Sequence, residues 1–247
     1  MRRIGAWVAG FGILALASLG SAATFPGNGG TGFGGPVGNG SLTVTDNGAG
    51  TFNFSFTAGT SFSGNALVLY VDSKSGGVND TSTLTDTADG GRTAISGFNS
   101  GNPSRTVATF IPGFNADYAI TLEPGVFSGL FDLSNPSNFP FVASGGLAGS
   151  GSGPYTFSYT RANLGMGPSD LVSFEGTLIS TSAYRSNETI GTSVTVPGSG
   201  GDAPNAGFNG TTTFSSAALV PEPSSAALLL LGAGGLLGRF RRRRIAR

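Results

Sequence analysis

The chain has 247 residues, with 43 Gly and neither Cys nor His, so glycine is more than twice its average share of about 7%. Without thiol or imidazole there can be no Ser-His or Cys-His nucleophile pair, no structural zinc site, no disulfide and none of the common haem ligations. The formal charge of zero divides unevenly: 8 of the 13 basic residues lie before Thr24 or after Gly238, while all 13 acids lie between Asp46 and Glu222. That acidic middle repels phosphate backbones and argues against nucleic acid as a partner.

Residues 1–23 have the three parts of a secretory signal. Arg2 and Arg3 form a basic start, an apolar run extends from Ile4 to Leu19, and Ser21-Ala22-Ala23 supplies the small residues of a cleavage site. Signal peptidase is expected to cut after Ala23. Residues 24–40 follow as a Gly-rich leader, expected to be flexible. Within it, Gly27 to Gly32 spells the pattern G-x-G-x-x-G. No strand is expected before it and no helix after it, so a dinucleotide site is not expected.

The middle of the chain has little helical periodicity. Short runs rich in Val, Ile, Thr, Phe and Tyr alternate with Gly, Asn, Asp, Ser and Pro, which predicts strands and turns. Strands are expected at 41–45, 51–57, 66–71, 105–111, 118–122, 126–133, 155–160, 171–180, 192–196 and 211–215. In the run TFNFSFT, Phe52, Phe54 and Phe56 fall on one face and Asn53 and Ser55 on the other, giving one core face and one wet face. The run ALVLYV at 66–71 is apolar throughout, as a central strand covered on both faces would be. Residues 160–171 are compatible with a turn of helix, kept short by Gly165, Gly167 and Pro168. No repeat recurs at a fixed period, which argues against a propeller or solenoid. The expected fold is all-β: a two-sheet antiparallel β-sandwich of jelly-roll type at 41–197, flanked by an N-terminal signal helix and a C-terminal transmembrane helix. Residues 198–219 form a Gly-rich linker with a last strand within it.

At the C-terminus, Pro221-Glu222-Pro223 stops regular structure. An apolar stretch from Ala226 to Gly238 follows and runs into the cationic cluster Arg239, Arg241, Arg242, Arg243 and Arg244. Thirteen residues make a helix of about 20 Å, short of a hydrocarbon core of about 30 Å, as a temporary anchor requires; the arginines are expected to stay on the cytoplasmic side. This order of parts over 220–247 resembles the PEP-CTERM sorting signal of exported proteins in Gram-negative bacteria that make extracellular polysaccharide. The resemblance implies recognition of Pro221, Glu222 and Pro223 by an exosortase. It also implies an inner-membrane-anchored precursor that moves to the cell surface or beyond. The run from Ala66 to Asp72, followed by Gly76-Gly77 and by Phe114 to Ile120, is similar to DOMON-like and carbohydrate-binding sandwich modules. Haem-binding members of that group use Met and His ligands, and this chain has no His.

Three kinds of site are weighed on residue type. The segment Asp72 to Asp80 fails the EF-hand pattern, because its third, fifth and twelfth positions are Lys74, Gly76 and Thr83. A looser calcium site could draw on Asp72, Asp80, Asp86 and Asp89, the alternative being solvated turns. A carboxylate pair of the glycosidase kind could be drawn from Glu123, Glu175, Glu188 or the aspartates. No signature surrounds them, Glu175 is expected to face solvent, and no enzymatic activity is expected. Tyr70, Tyr118, Tyr155, Tyr159 and Tyr184 are the tyrosines that could stack on a sugar. The functional expectation is an exported structural or adhesive protein, with a carbohydrate-binding module for exopolysaccharide as the alternative and a carboxylate-dependent glycoside hydrolase as a more distant one.

Overall fold

The computed structural model describes residues 21–190, except 48–49, 62, 102–103 and 168–169, together with the strand backbones at 194–195, 205–208 and 212–214. Residues 1–20 of the expected signal segment and the sorting segment at 220–247 lie outside the described residues, while residues 21–23 form the start of β1. In chain order the elements are β1 (Ser21–Pro26), β2 (Ser41–Asp46), β3 (Thr51–Thr57), β4 (Asn65–Asp72), α1 (Gly90–Ser96), β5 (Phe98–Asn99), β6 (Ser104–Arg105), β7 (Val107–Thr109), β8 (Tyr118–Glu123), β9 (Phe127–Asp132), β10 (Phe141–Ser144), β11 (Tyr155–Thr160), β12 (Val172–Ser180), β13 (Arg185–Ile190), β14 (Val194–Thr195), β15 (Asn205–Phe208) and β16 (Thr212–Phe214).

Two antiparallel sheets form the sandwich. One has the order β1-β2-β3-β11, and the other β10-β9-β8-β4-β12-β13, with β16 sharing the β13 edge of β12. The alternation in β3 does what its sequence dictates: Phe52, Phe54 and Phe56 are buried while Asn53 and Thr57 are exposed. These rings meet Leu67, Leu69 and Val71 of β4, Ile120 and Leu122 of β8 and Phe174 of β12 in the core between the sheets. Phe54 stacks on Phe157 at 5.0 Å and meets Phe174 edge-on at 5.7 Å, the offset and T-shaped arrangements that aromatic quadrupoles favour.

The larger sheet is also covered on its other face. Ala66, Val68 and Tyr70 of β4 point away from the sandwich core and pack with Ala94 and Ile95 of α1 and with Phe110, Phe114 and Phe139. The continuous apolar run of β4 therefore has the two-sided burial that its composition predicts. This third layer overturns one expectation: Glu175 on β12 is 0% exposed. It lies beside Tyr70 in register, beneath the third layer. Burial drives its carboxyl up to about 8, with Asp72 adding to the rise and the Ile111 amide opposing it. Nearby, the buried Arg185 donates from Nη2 to the Tyr70 hydroxyl at 3.2 Å, and that hydroxyl donates to the Ile95 carbonyl at 2.7 Å.

The helix lies at 90–96, while residues 161–165 of the expected helical patch form turns. Arg161 at the start of those turns pairs with Asp46 at 2.7 Å and lies over the Phe52 ring. Among the expected strands, 105–111 is broken into β6 and β7. β7 runs parallel to β15, a pairing that lies in the segment read as linker.

The Gly-rich segment is not a free leader in the folded chain. Thr24 to Pro26 pair with Ser41 to Thr43, and the loop that follows closes around Glu188 of β13. Phe33 and Gly35 donate their backbone N–H groups to Glu188 Oε1 at 2.7 and 3.2 Å; Val37 and Gly38 donate to Oε2 at 2.9 and 3.0 Å. Asn187 Oδ1 takes the Gly32 N–H at 2.8 Å, and Asn28 bonds both the Asn187 carbonyl and the Thr189 N–H. A chain this rich in Gly can aim successive amides at one point, which is how such a loop binds a carboxylate.

Candidate functional site

Sheet register gathers the candidate site at one end of the third-layer face. Glu123 on β8 stands opposite Phe127 on β9, Thr121 opposite Gly129, and Phe131 opposite Phe141 on β10. Because side chains alternate along a strand, Phe127, Gly129 and Phe131 share that face. Gly129 matters for space: a Cβ there would collide with the Phe127 ring, which lies over it. The Phe141 ring sits 6.0 Å from Phe127 and 5.7 Å from Phe131.

Helix α1 closes the other side. Asp89 caps its N-terminus, accepting from the Arg92 N–H at 2.8 Å, and the helix ends at Gly97, whose N–H returns to the Thr93 carbonyl at 2.9 Å. Its one cationic side chain, Arg92, is ion-paired with Asp89 and, at 3.2 Å, with Asp86. The guanidinium also lies 4.6 Å from the centre of the Phe131 ring and donates to the Phe139 carbonyl at 3.3 Å. Between these walls is a pocket of about 320 Å³ lined by Asp89, Gly90, Gly91, Arg92, Glu123, Val126 and the rings of Phe127, Phe131 and Phe141. Val126 is 76% exposed and Phe141 50%, so apolar surface remains open to solvent here. Glu123 is held above the ordinary carboxylate range, first by burial and then by the charge of Asp89.

The structure thus brings together Glu123 and Asp89, two of the acids that the sequence offered, and pairs a third, Asp86, with the same arginine as Asp89. The other calcium candidates have partners of their own: Asp72 Oδ2 accepts from the Asn115 N–H at 3.1 Å, and Asp80 Oδ1 from the Ser82 N–H at 2.7 Å. Among the described residues, no three carboxylates stand close enough together to hold a metal ion. Glu175 and Glu188 are buried in separate places. Of the five tyrosines, Tyr70, Tyr118, Tyr155 and Tyr159 are buried and Tyr184 is exposed; the aromatic wall of the pocket is phenylalanine instead. Phe127 and Phe131 fall at i and i+4 of an expected strand, a same-face signal present in the sequence. Phe141 and α1 lay in segments with no assigned element. Ala23, the expected cleavage position, lies in β1. Pro221 to Pro223 and the arginine cluster lie outside the described residues.

Comparison with known proteins identifies one feature. Residues 219–244 match the family model of the PEP-CTERM protein-sorting motif. The chain therefore carries the signal of an exosortase-targeted, exported protein that is anchored at a membrane before processing. No curated protein and no solved structure matches the chain. Among the described residues, no helix is long and apolar enough to cross a membrane.

Proposed function

We propose that the chain is a surface or matrix protein of a Gram-negative envelope, and that its sandwich serves a non-catalytic, structural or adhesive role. Signal peptidase removes residues 1–23, the apolar stretch after Pro223 holds the precursor in the inner membrane, and an exosortase releases it near Pro221–Pro223. The observation that carries this reading is the sorting motif at 219–244 placed behind an all-β body. The absence of catalysis is supported by the carboxylates themselves: both Asp89 oxygens are engaged by Arg92, and Glu188 is wrapped in amides, so neither is free to act beside a second acid. Deleting Pro221–Pro223 tests the reading. Full-length protein should accumulate in the inner-membrane fraction on immunoblots, and undiminished surface display would overturn the assignment.

A second reading, binding of carbohydrate from the exopolysaccharide, is favoured by the pocket beside α1, where the exposed Phe141 ring and the half-buried Phe127 ring meet carboxylates. Apolar ring faces suit the C–H faces of a sugar and carboxylates suit its hydroxyls. A glycan array probed with the mature protein would support it through saturable binding to one sugar class.

A further inference from the structure

We propose that folding closes the signal-cleavage site: with β1 docked on β2, the Ala23–Thr24 bond is out of reach of signal peptidase, so residues 1–23 have to be removed before that strand pairs. This closure rests on the export reading and adds a regulation to its first step. Three observations converge on it.

The first is register. The bond to be cut falls inside β1, where Ser21 stands opposite Asp46, Ala22 opposite Thr45, Ala23 opposite Val44 and Thr24 opposite Thr43. Residues on both sides of the bond are therefore already paired, and the Thr24 and Thr43 hydroxyls meet at 2.9 Å. A peptidase that takes its substrate as an extended strand has to compete with β2 for that backbone. The opposite edge of β1 carries no strand among the described residues, so the side chains decide whether the site can be read.

The second is the direction of those side chains. Signal peptidase reads small side chains one and three residues before the cut, here Ala23 and Ser21. Alternation along a strand puts these two on one face. In β1 that face points inward: Ala22 and Thr24 are exposed, whereas Ser21 and Ala23 are half-buried. Ala23 packs against the core between the sheets, and Ser21 Oγ is shut off from water. Fold and peptidase compete for the same face of the same residues.

The third is the hold on the chain that follows. Beyond Pro26, the Gly27 N–H donates to the Gly40 carbonyl at 2.8 Å and the Gly29 N–H to the Gly38 carbonyl at 2.7 Å. From the other side, Gly27 bridges to Ile190, and the Asn28 N–H donates to the Thr189 carbonyl at 3.0 Å. Phe25, half-buried, packs against the core just before these points. Lifting residues 21–24 clear pulls on a segment fastened from two sides, and cleavage of the folded chain is limited to the population of that opened form.

The peptidase adds water across the bond, leaving a carboxylate on Ala23 and an amine on Thr24. The processed strand keeps Thr24 to Pro26, and Val44, Thr45 and Asp46 of β2 lose their partners.

Full-length precursor in detergent micelles tests this, with purified signal peptidase added either during dilution from urea or after refolding, and the new N-terminus read by mass spectrometry. Addition during dilution should give cleavage after Ala23 at least tenfold faster. A flexible Gly-Ser spacer of about six residues, inserted between Ala23 and Thr24, moves the cut out of β1 and should bring the two rates within about threefold. Equal rates for the natural precursor would overturn the closure and leave the export reading standing. So would a folded spacer variant cleaved as slowly as the folded natural precursor, because the micelle and not β1 would then be the obstacle. No cleavage after Ala23 at either moment would overturn the signal reading and the closure with it.

Discussion

The Val37 N–H and the Glu188 carboxylate meet at 2.9 Å across 151 positions of sequence. With the amides of Phe33, Gly35 and Gly38 aimed at the same side chain, this contact ties the Gly-rich segment to β13 at the edge of the larger sheet.

Replacing Glu188 by Ala would leave these four N–H groups without their acceptor in a region that excludes water. Hydrogen bonds to charged groups contribute about 1.5–3 kcal/mol each and are not additive. Glu188→Ala is therefore expected to cost about 3–5 kcal/mol in urea unfolding, and Glu188→Gln less, because one oxygen remains to accept.

Glu175 gives a pH dependence of defined sign. Its carboxyl titrates near 4.5 when free and at about 8 in the fold. Between those values the folded state holds a proton that the unfolded state has released. The stability that this provides is complete below pH 4.5, declines as pH rises and is gone above 8, with a slope of up to about 1.4 kcal/mol per pH unit. Glu175→Gln, which cannot ionise, should flatten this part of the stability profile and be the more stable form at pH 8. Urea midpoints measured from pH 5 to 9 for both proteins would check it.

Arg161 and Asp46 make a nearly buried pair that pins the turns after β11 to the end of β2. Removing one partner strands the other charge, which costs about 3–5 kcal/mol in buried pairs. Arg161→Ala should therefore lower the unfolding midpoint far more than the same change at Arg105, whose guanidinium is partly exposed over Phe98.

At Gly129 the expected effect is local. A methyl group there displaces the Phe127 ring, and overpacking of this kind costs about 1–3 kcal/mol. Gly129→Ala should shift the ring resonances of Phe127 and Phe141 in NMR spectra while leaving those of Phe54 and Phe157, in the other core, in place.

Much of the sandwich was legible in the sequence because period-2 patterning is a local signal. The ranges of β3 and β11 match the expected strands, and β4 shows the two-sided burial that its unbroken apolar run implies. What escaped depends on long-range partners. Glu175 resembles a solvent-facing residue until a third layer covers it. Residues 27–40 have the composition of a tether and are ordered by an acceptor on β13. Helix α1 carries its signals in Asp89 and Gly97, but Gly90 and Gly91 at its start weaken the helical pattern, and its seven residues are held by packing of Ala94 and Ile95. The pocket was half visible: the Phe127–Phe131 spacing could be read directly, whereas its closure by Arg92 and Phe141 could not.

The clasp around Glu188 also sets a timetable. In the export route proposed above, Phe33 to Gly38 emerge long before the acceptor that they require, and contacts so far apart in sequence form late. Until β13 arrives, the loop at 27–40 lacks the acceptor of four of its amides and is the more open to proteases for it. Its resistance to cleavage therefore reports that β13 has been delivered and docked. A stalled or truncated chain would be marked at its beginning by what is missing near its end.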